Sequence, residues 1–195
     1  MSRRATAAAP LLSLAFARGY GVTMRPYLLF VSGIVGLAAL ALAPPAPAGA
    51  TLALAAMCFL AYGFGQALTD CFQMDTDALS SPYRPLVHGA IRRSHVLAVS
   101  VAGLAASGLV AVWYQPVNAV LALLAAIGLA TYTPFKRRWW GGPLYNAWIV
   151  AVLAVIAYAG ALGAAGARPV RGVAFIGTLV AVFFGYAVFV LAGYY

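Results

Sequence analysis

Thr51–Thr69, TLALAAMCFLAYGFGQALT, runs without a break into Asp70–Asp77, DCFQMDTD. The first stretch is nineteen residues with no charge, close to the roughly 20 apolar residues that cross a bilayer as a helix. The second holds Asp70, Asp75 and Asp77, which are all the acidic residues of the 195-residue chain. An ionised carboxylate in such apolar surroundings is expensive unless it is solvated, paired or bound to a cation. The join between the two stretches therefore marks both a membrane border and the first place to look for chemistry.

The rest of the sequence supports a membrane reading. Hydrophobic residues make up 65% and charged residues 8%, where a soluble domain carries about 25% charged. The mean hydropathy is +0.95. Hydropathy predicts an all-α, polytopic bundle of six transmembrane helices at Tyr27–Ala43, Thr51–Thr69, His95–Val112, Val117–Thr133, Leu144–Leu162 and Val173–Gly193. Pro44-Pro45-Ala46-Pro47 separates the first two spans and Trp113–Pro116 turns the chain between the third and fourth. Thr133-Pro134 is expected to end the fourth span, and Gly163–Pro169 to separate the last two. Residues 1–195 are read as a single transmembrane domain, with 1–26 an N-terminal interfacial segment and 27–195 the six-span bundle. Pro10–Tyr20 fits a short helix lying on the membrane better than a signal peptide, because Arg18 follows the small residues at once.

The net charge of +9 does not point to nucleic acid, because the bases stand in short clusters between apolar runs. Ten of the twelve fall on one side of the predicted spans: Arg3, Arg4, Arg18 and Arg25; Arg84, Arg92 and Arg93; and Lys136, Arg137 and Arg138. The positive-inside rule then predicts both termini in the cytoplasm, a bacterial inner-membrane setting, contact with anionic lipid, and the acidic run at the cytoplasmic face. Cys58 and Cys71 read as packing residues, since two cysteines without a histidine cluster suggest neither a disulfide framework nor zinc. His88 and His95, and the pair Trp139-Trp140, read as interfacial residues. Gly33-x-x-Gly36 and Gly160-x-x-Gly163 permit close helix approach.

If the second helix continues through the acids, Gln66, Asp70, Gln73 and Asp77 form one stripe at i, i+4, i+7 and i+11, and Asp75 points away. Two carboxylates and two amides on one face suit a hard cation such as Mg2+, which binds through one or two carboxylates plus substrate phosphates. The same pattern also suits a solvated polar helix end balanced by nearby arginines.

Several motifs narrow the choice. The stretch from Thr69 to Ile91, TDCFQMDTDALSSPYRPLVHGAI, resembles the first aspartate-rich motif of the UbiA superfamily of intramembrane prenyltransferases, N-D-x-x-D-x-x-x-D followed by R-P and a glycine turn. Tyr132-Thr133-Pro134-Phe135-Lys136-Arg137 resembles that family's Y-S-P…K-R loop, Gly142–Asn146 its G-x-L-G-N helix start, and Arg25-Pro26 its approach to the first helix. The resemblance implies transfer of an isoprenyl group from an allylic diphosphate to a lipophilic acceptor. It implies that Asp70, Asp77 and Gln73 meet Mg2+, that Arg84, Lys136 and Arg137 bind the diphosphate, and that Tyr132 sits near the pocket floor. Thr69 stands where the family has asparagine and Gln73 where it has an aspartate, and no acid follows Asp77. Three expectations follow: the first part of a longer or split enzyme, a short enzyme completed by oligomerisation, or a lipid- or quinone-binding subunit beside a partner in a larger membrane complex. A transporter fits less well, for lack of charges in mid-span.

Overall fold

The computed structural model describes residues 8–136, 138, 141–167 and 172–193. Helices make up these residues, with no strand among them beyond an isolated bridge between Ala9 and Ile91. In chain order they are α1 (Leu14–Thr23), a 3-10 turn (Pro26–Leu28), α2 (Leu29–Leu42), α3 (Ala48–Asp70), α4 (Met74–Ser80), α5 (Arg93–Tyr114), α6 (Asn118–Lys136), α7 (Gly141–Ala164) and α8 (Val173–Ala192). Among the described residues α3, α5, α6, α7 and α8 are each long and apolar enough to cross a membrane. A sixth span is a bent pair, α1 plus Pro26–Leu42, with a 49° change of direction. The last five expected spans are present and the first corresponds to the bent pair, so the protein is a multi-pass, all-α membrane protein with five to six candidate spans among the described residues.

The core lies where α2, α3, α7 and α8 meet. Val35, Leu54, Cys58, Val150, Ala154 and Ala157 are completely buried there. Apolar burial does not drive helices together inside lipid, so close packing and interhelical hydrogen bonds must do so. Gly36 supplies the first: a Cβ placed on it would lie 2.5 Å from Cys58 Cβ. Ser32 supplies the second, its hydroxyl donating to the Cys58 carbonyl at 2.6 Å. Cys58 and Cys71 are both free and buried, as packing residues should be.

Three expectations are revised. α1 is not simply laid on the membrane surface: Phe16 and Tyr20 are buried in a second small core with Ala67, Cys71, Leu86, Ile91 and Val96. The Tyr20 hydroxyl pairs with Ser100 Oγ of α5 at 2.8 Å, and His95 meets the Phe16 ring edge-on. α6 does not end at Thr133-Pro134 but continues to Lys136. Pro134 removes the backbone donor that would meet the Ala130 carbonyl, so the helix continues past it at a local cost. α3 does not run through the acids; it stops at Asp70, and α4 restarts at Met74 after Gln73 adopts φ −126°, ψ 18°.

The Trp139-Trp140 pair and Arg137 lie outside the described residues. Gly89, in the turn before α5, has φ +80°, a conformation natural to glycine and costly for other residues.

Gly36→Leu is expected to force α2 off α3 and to destabilise the protein by about 1–3 kcal/mol, whereas Gly49→Leu, where a Cβ meets nothing within 4 Å, should be neutral. Thermal unfolding of both variants in the same detergent checks this.

Candidate functional site

The charged end of the bundle is assembled from four separate pieces of chain. Arg25 comes from the bend between α1 and α2, Asp70 from the end of α3, Gln73 and Asp77 from the start of α4, and Lys136 from the end of α6. Arg84 follows α4 in a turn stitched by Arg84 N to Ser81 O and His88 N to Arg84 O. The α3 break is what brings these together, because it turns Asp77 back toward Asp70 instead of leaving both along one straight face.

Arg25 is left-handed, with φ 54° and ψ 71°, a conformation that costs a non-glycine residue about 1 kcal/mol or more. Pro26 fixes the next φ and starts the 3-10 turn. The result points the Arg25 guanidinium inward, where its Nη2 donates to Asp70 Oδ1 at 2.6 Å. Both partners are buried, with side-chain exposures of 5% and 2%. Asp70 Oδ2 is also buried and has no hydrogen bond. Arg84 Nη1 stands 3.6 Å from it and 2.5 Å from Asp77 Oδ2, so one guanidinium nitrogen bridges the two carboxylates. Arg84 keeps 19% exposure and is the most accessible member of these ion pairs.

Lys136 reaches across from α6 and donates to Gln73 Oε1. Gln73 Nε2 donates in turn to Thr133 Oγ1 at 3.4 Å. The position where the resemblance expects an aspartate therefore presents an amide that anchors Lys136. Asp75 is exposed, as the spacing predicts. Among Arg25, Asp70, Asp77, Arg84 and Lys136 there are three cations and two anions. Counted by formal charge, the group has one surplus positive charge in a poorly hydrated place, which suits an anionic ligand.

Beside this cluster is a cavity of about 760 Å³ between α3, α5, α6 and α7. Thr69, Phe72, Thr133 and Pro134 line its charged end, and Met57, Gly108, Ala111, Ala122 and Ile156 its far end. The Arg93 guanidinium lies 5.4 Å from the centroid of the Phe72 ring. Asn146 lines the wall and donates from Nδ2 to the Tyr62 hydroxyl at 2.9 Å, so this asparagine serves both helix pairing and the pocket. Among the described residues no charged side chain lines the cavity.

Of the residues singled out from sequence, Asp70, Asp77, Gln73, Arg84 and Lys136 converge. Tyr132 is not among the cavity-lining side chains; it is buried, with its ring 6.4 Å from that of Tyr145. Among the described residues no three His, Cys, Asp or Glu side chains group as a metal site. Cys71 beside the cluster is not a ready nucleophile: burial pushes its thiol up to about 11. Arg25 is the member that sequence reasoning did not assign to the site. The available signal was the Arg25-Pro26 pair at the membrane border, in a chain whose acids all needed partners.

Known proteins fit this geometry. The model of the UbiA prenyltransferase family matches residues 6–194. A solved structure described as concerning digeranylgeranylglyceryl phosphate synthase in membranes superposes with a TM-score of 0.71 at 16% identity. It covers 86% of this chain and 58% of that one, so this chain spans under two thirds of its structural counterpart. No curated protein matches the sequence. The chain belongs to the UbiA prenyltransferase family.

Breaking the buried pair from one side leaves an uncompensated charge, so Arg25→Leu and Asp70→Leu are each expected to destabilise by about 3–5 kcal/mol. The double variant Arg25→Leu/Asp70→Leu should recover most of that loss. A double-mutant cycle on thermal stability measures it.

Proposed function

We propose that this UbiA-family chain forms the first part of a prenyltransferase site, in which an allylic isoprenyl diphosphate seats its headgroup at the cluster and its chain in the cavity. The observation that carries the reading is the surplus cation at the charged end, set directly above an uncharged cavity of suitable length. Along α3 the lining runs from Met57 to Thr69, about 18 Å at 1.5 Å per residue. An extended isoprene unit spans about 5 Å, from four C–C bonds of about 1.5 Å each. Three to four units fit, which selects chains of farnesyl to geranylgeranyl length.

Arg84 and Lys136 are the residues able to meet the diphosphate. Arg84 is the more exposed partner of its pairs, and Lys136 is held by a neutral amide rather than a carboxylate. Turning from Asp77 and Gln73 to phosphate oxygens exchanges one charge-assisted contact for another. Arg25, buried against Asp70, stays in place as that carboxylate's counter-ion. As the allylic C–O bond breaks, negative charge grows on the departing diphosphate, and fixed cations stabilise it. Loss of water from the cavity protects the carbocation left behind.

The family implies Mg2+, and the donor set fits it. Asp70 Oδ2 is a buried oxygen without a hydrogen bond, Asp77 lies across Arg84 from it, and magnesium takes one or two carboxylates plus phosphate oxygens. Asp70 and Asp77 would hold the ion, and Gln73 Oε1 would join them once Lys136 has moved to the diphosphate. When bound, it supplies further neutralisation of the leaving group.

A second reading is favoured by one observation: the chain's own cations already satisfy both buried acids. On that reading the protein binds lipid or quinone as a structural subunit beside a membrane partner, with no turnover. The reading of the bundle as one domain in a bacterial inner membrane, with its charged end and both termini in the cytoplasm, belongs to either account and rests on the basic clusters of the sequence.

Turnover separates the two. Purified protein, alone and with any copurifying membrane subunit, is expected to consume an allylic diphosphate with magnesium present. Asp77→Ala should reduce the rate by about 100-fold or more, the scale of losing one electrostatic contact to the reacting group. Failure to turn over any allylic diphosphate in either preparation refutes the enzyme reading. Gly108→Phe offers a separate check, because a Cβ there meets nothing within 4 Å and the added ring enters the cavity. It should shift preference toward ten-carbon donors without loss of thermal stability.

A further inference from the structure

We propose that Gln66 is the recognition group for a second, neutral ligand: an apolar molecule bearing a hydroxyl or carbonyl, seated in the cavity beneath the ion cluster. This rests on the prenyl-transfer reading in one respect, that such a ligand would be the acceptor. The binding itself stands on the cavity alone.

Gln66 is 6% exposed and lines the cavity; among the described residues no side chain or backbone group meets its amide, whose atoms are open to the cavity rather than sealed in protein. Its polar neighbours on the same wall are all engaged. Tyr62 accepts from Asn146, Thr69 donates to the Gln66 carbonyl, Thr133 accepts from Gln73, and Ser107 donates to the Gly103 carbonyl. An unpaired amide in apolar surroundings is destabilising, and a leucine of similar size would not be. The amide is the polar group of this wall left to be satisfied by an occupant of the cavity.

Position and charge define that occupant. Gln66 lies four residues before Asp70 on α3, on the same face and about 6 Å deeper. At that depth a diphosphate held by the cluster has given way to hydrocarbon, which offers an amide nothing. The partner must belong to another molecule. With no charged residue among the described residues of the cavity wall, a carboxylate at that depth would be desolvated without a counter-charge in contact, the cluster's cations being engaged by the diphosphate. A neutral group is therefore selected. An amide offers both donor and acceptor, which matches a phenol, an alcohol or a carbonyl. Tyr62, one turn deeper, and Asn146 supply a second polar pair within the same band.

Equilibrium dialysis of the full chain in nanodiscs, with protein-free nanodiscs as the blank, tests this without a prenyl donor. The probes are 1-naphthol, naphthalene and 1-naphthoate. The wild type is expected to bind naphthol about tenfold more tightly than naphthalene, the scale of one hydrogen bond, and, with inorganic diphosphate added to occupy the ion cluster, to bind naphthoate more weakly than naphthol. Gln66→Leu should abolish the preference for naphthol while retaining naphthalene, which shows the cavity intact, and should raise the thermal midpoint. Equal binding of naphthol and naphthalene by the wild type overturns the proposal, as does a preference that survives in Gln66→Leu, the result expected if water alone satisfies the amide. Absence of prenyl transfer with the naphthol preference present refutes the enzyme reading and leaves this one standing.

Discussion

The buried pair between Arg25 and Asp70 is the constraint on which the charged end of this bundle depends. Two ions removed from water lose more hydration than a single contact returns unless the geometry is close and the remaining atoms find partners. Here the contact is 2.6 Å, and Arg84 stands near the other carboxylate oxygen. The pair is weak evidence for stability as such. What it specifies is arrangement. It ties the bend between α1 and α2 to the end of α3, residues 45 apart in sequence, and it requires Arg25 to adopt a left-handed backbone. A cheaper backbone at Arg25 would aim the guanidinium elsewhere and leave Asp70 charged without its counter-ion.

The break after Asp70 follows from the same requirement. In a continuous helix, Gln73 and Asp77 would lie about 4.5 and 10 Å farther along the axis than Asp70, too far apart for one guanidinium nitrogen to meet both acids. With α3 stopped at Asp70 and α4 restarted at Met74, Arg84 Nη1 reaches Asp70 and Asp77 together. α6 is lengthened through Pro134 by a complementary circumstance: Lys136 in the final turn finds Gln73, and that contact outweighs one missing backbone hydrogen bond.

These features explain what the sequence made legible and what it hid. The six spans could be read because lipid imposes length and hydrophobicity on each segment independently of its neighbours. The site could be located because acids are scarce in this chain, and scarcity survives any change of backbone path. The stripe of Gln66, Asp70, Gln73 and Asp77 named residues that do lie together, but by a broken helix rather than the unbroken one that periodicity assumes. Arg25 could not be assigned, because its role depends on a contact with a distant segment and on a backbone conformation that local propensity disfavours. Tyr132 carried a motif match, and the structure buries it against Tyr145, a contact that the motif alone does not encode.

The division of labour among the cations now has a physical basis. A surplus positive charge in a low-dielectric setting attracts an anion strongly, yet each cation that turns to the anion deserts a partner inside the protein. Arg25 is buried, strained and committed to Asp70, so removing it would abandon a carboxylate that water cannot reach. Arg84 is partly exposed and shared between two acids, so its departure from Asp77 leaves Asp70 still neutralised by Arg25. Lys136 leaves behind only an amide. The group is thus ordered by what each departure costs: Lys136 least, Arg84 next, Arg25 most. Binding can draw on the first two without dismantling the joint that the third maintains. An architecture with three equivalent surface cations could hold an anion, but it could not also keep the α1–α2 bend docked on α3 while doing so.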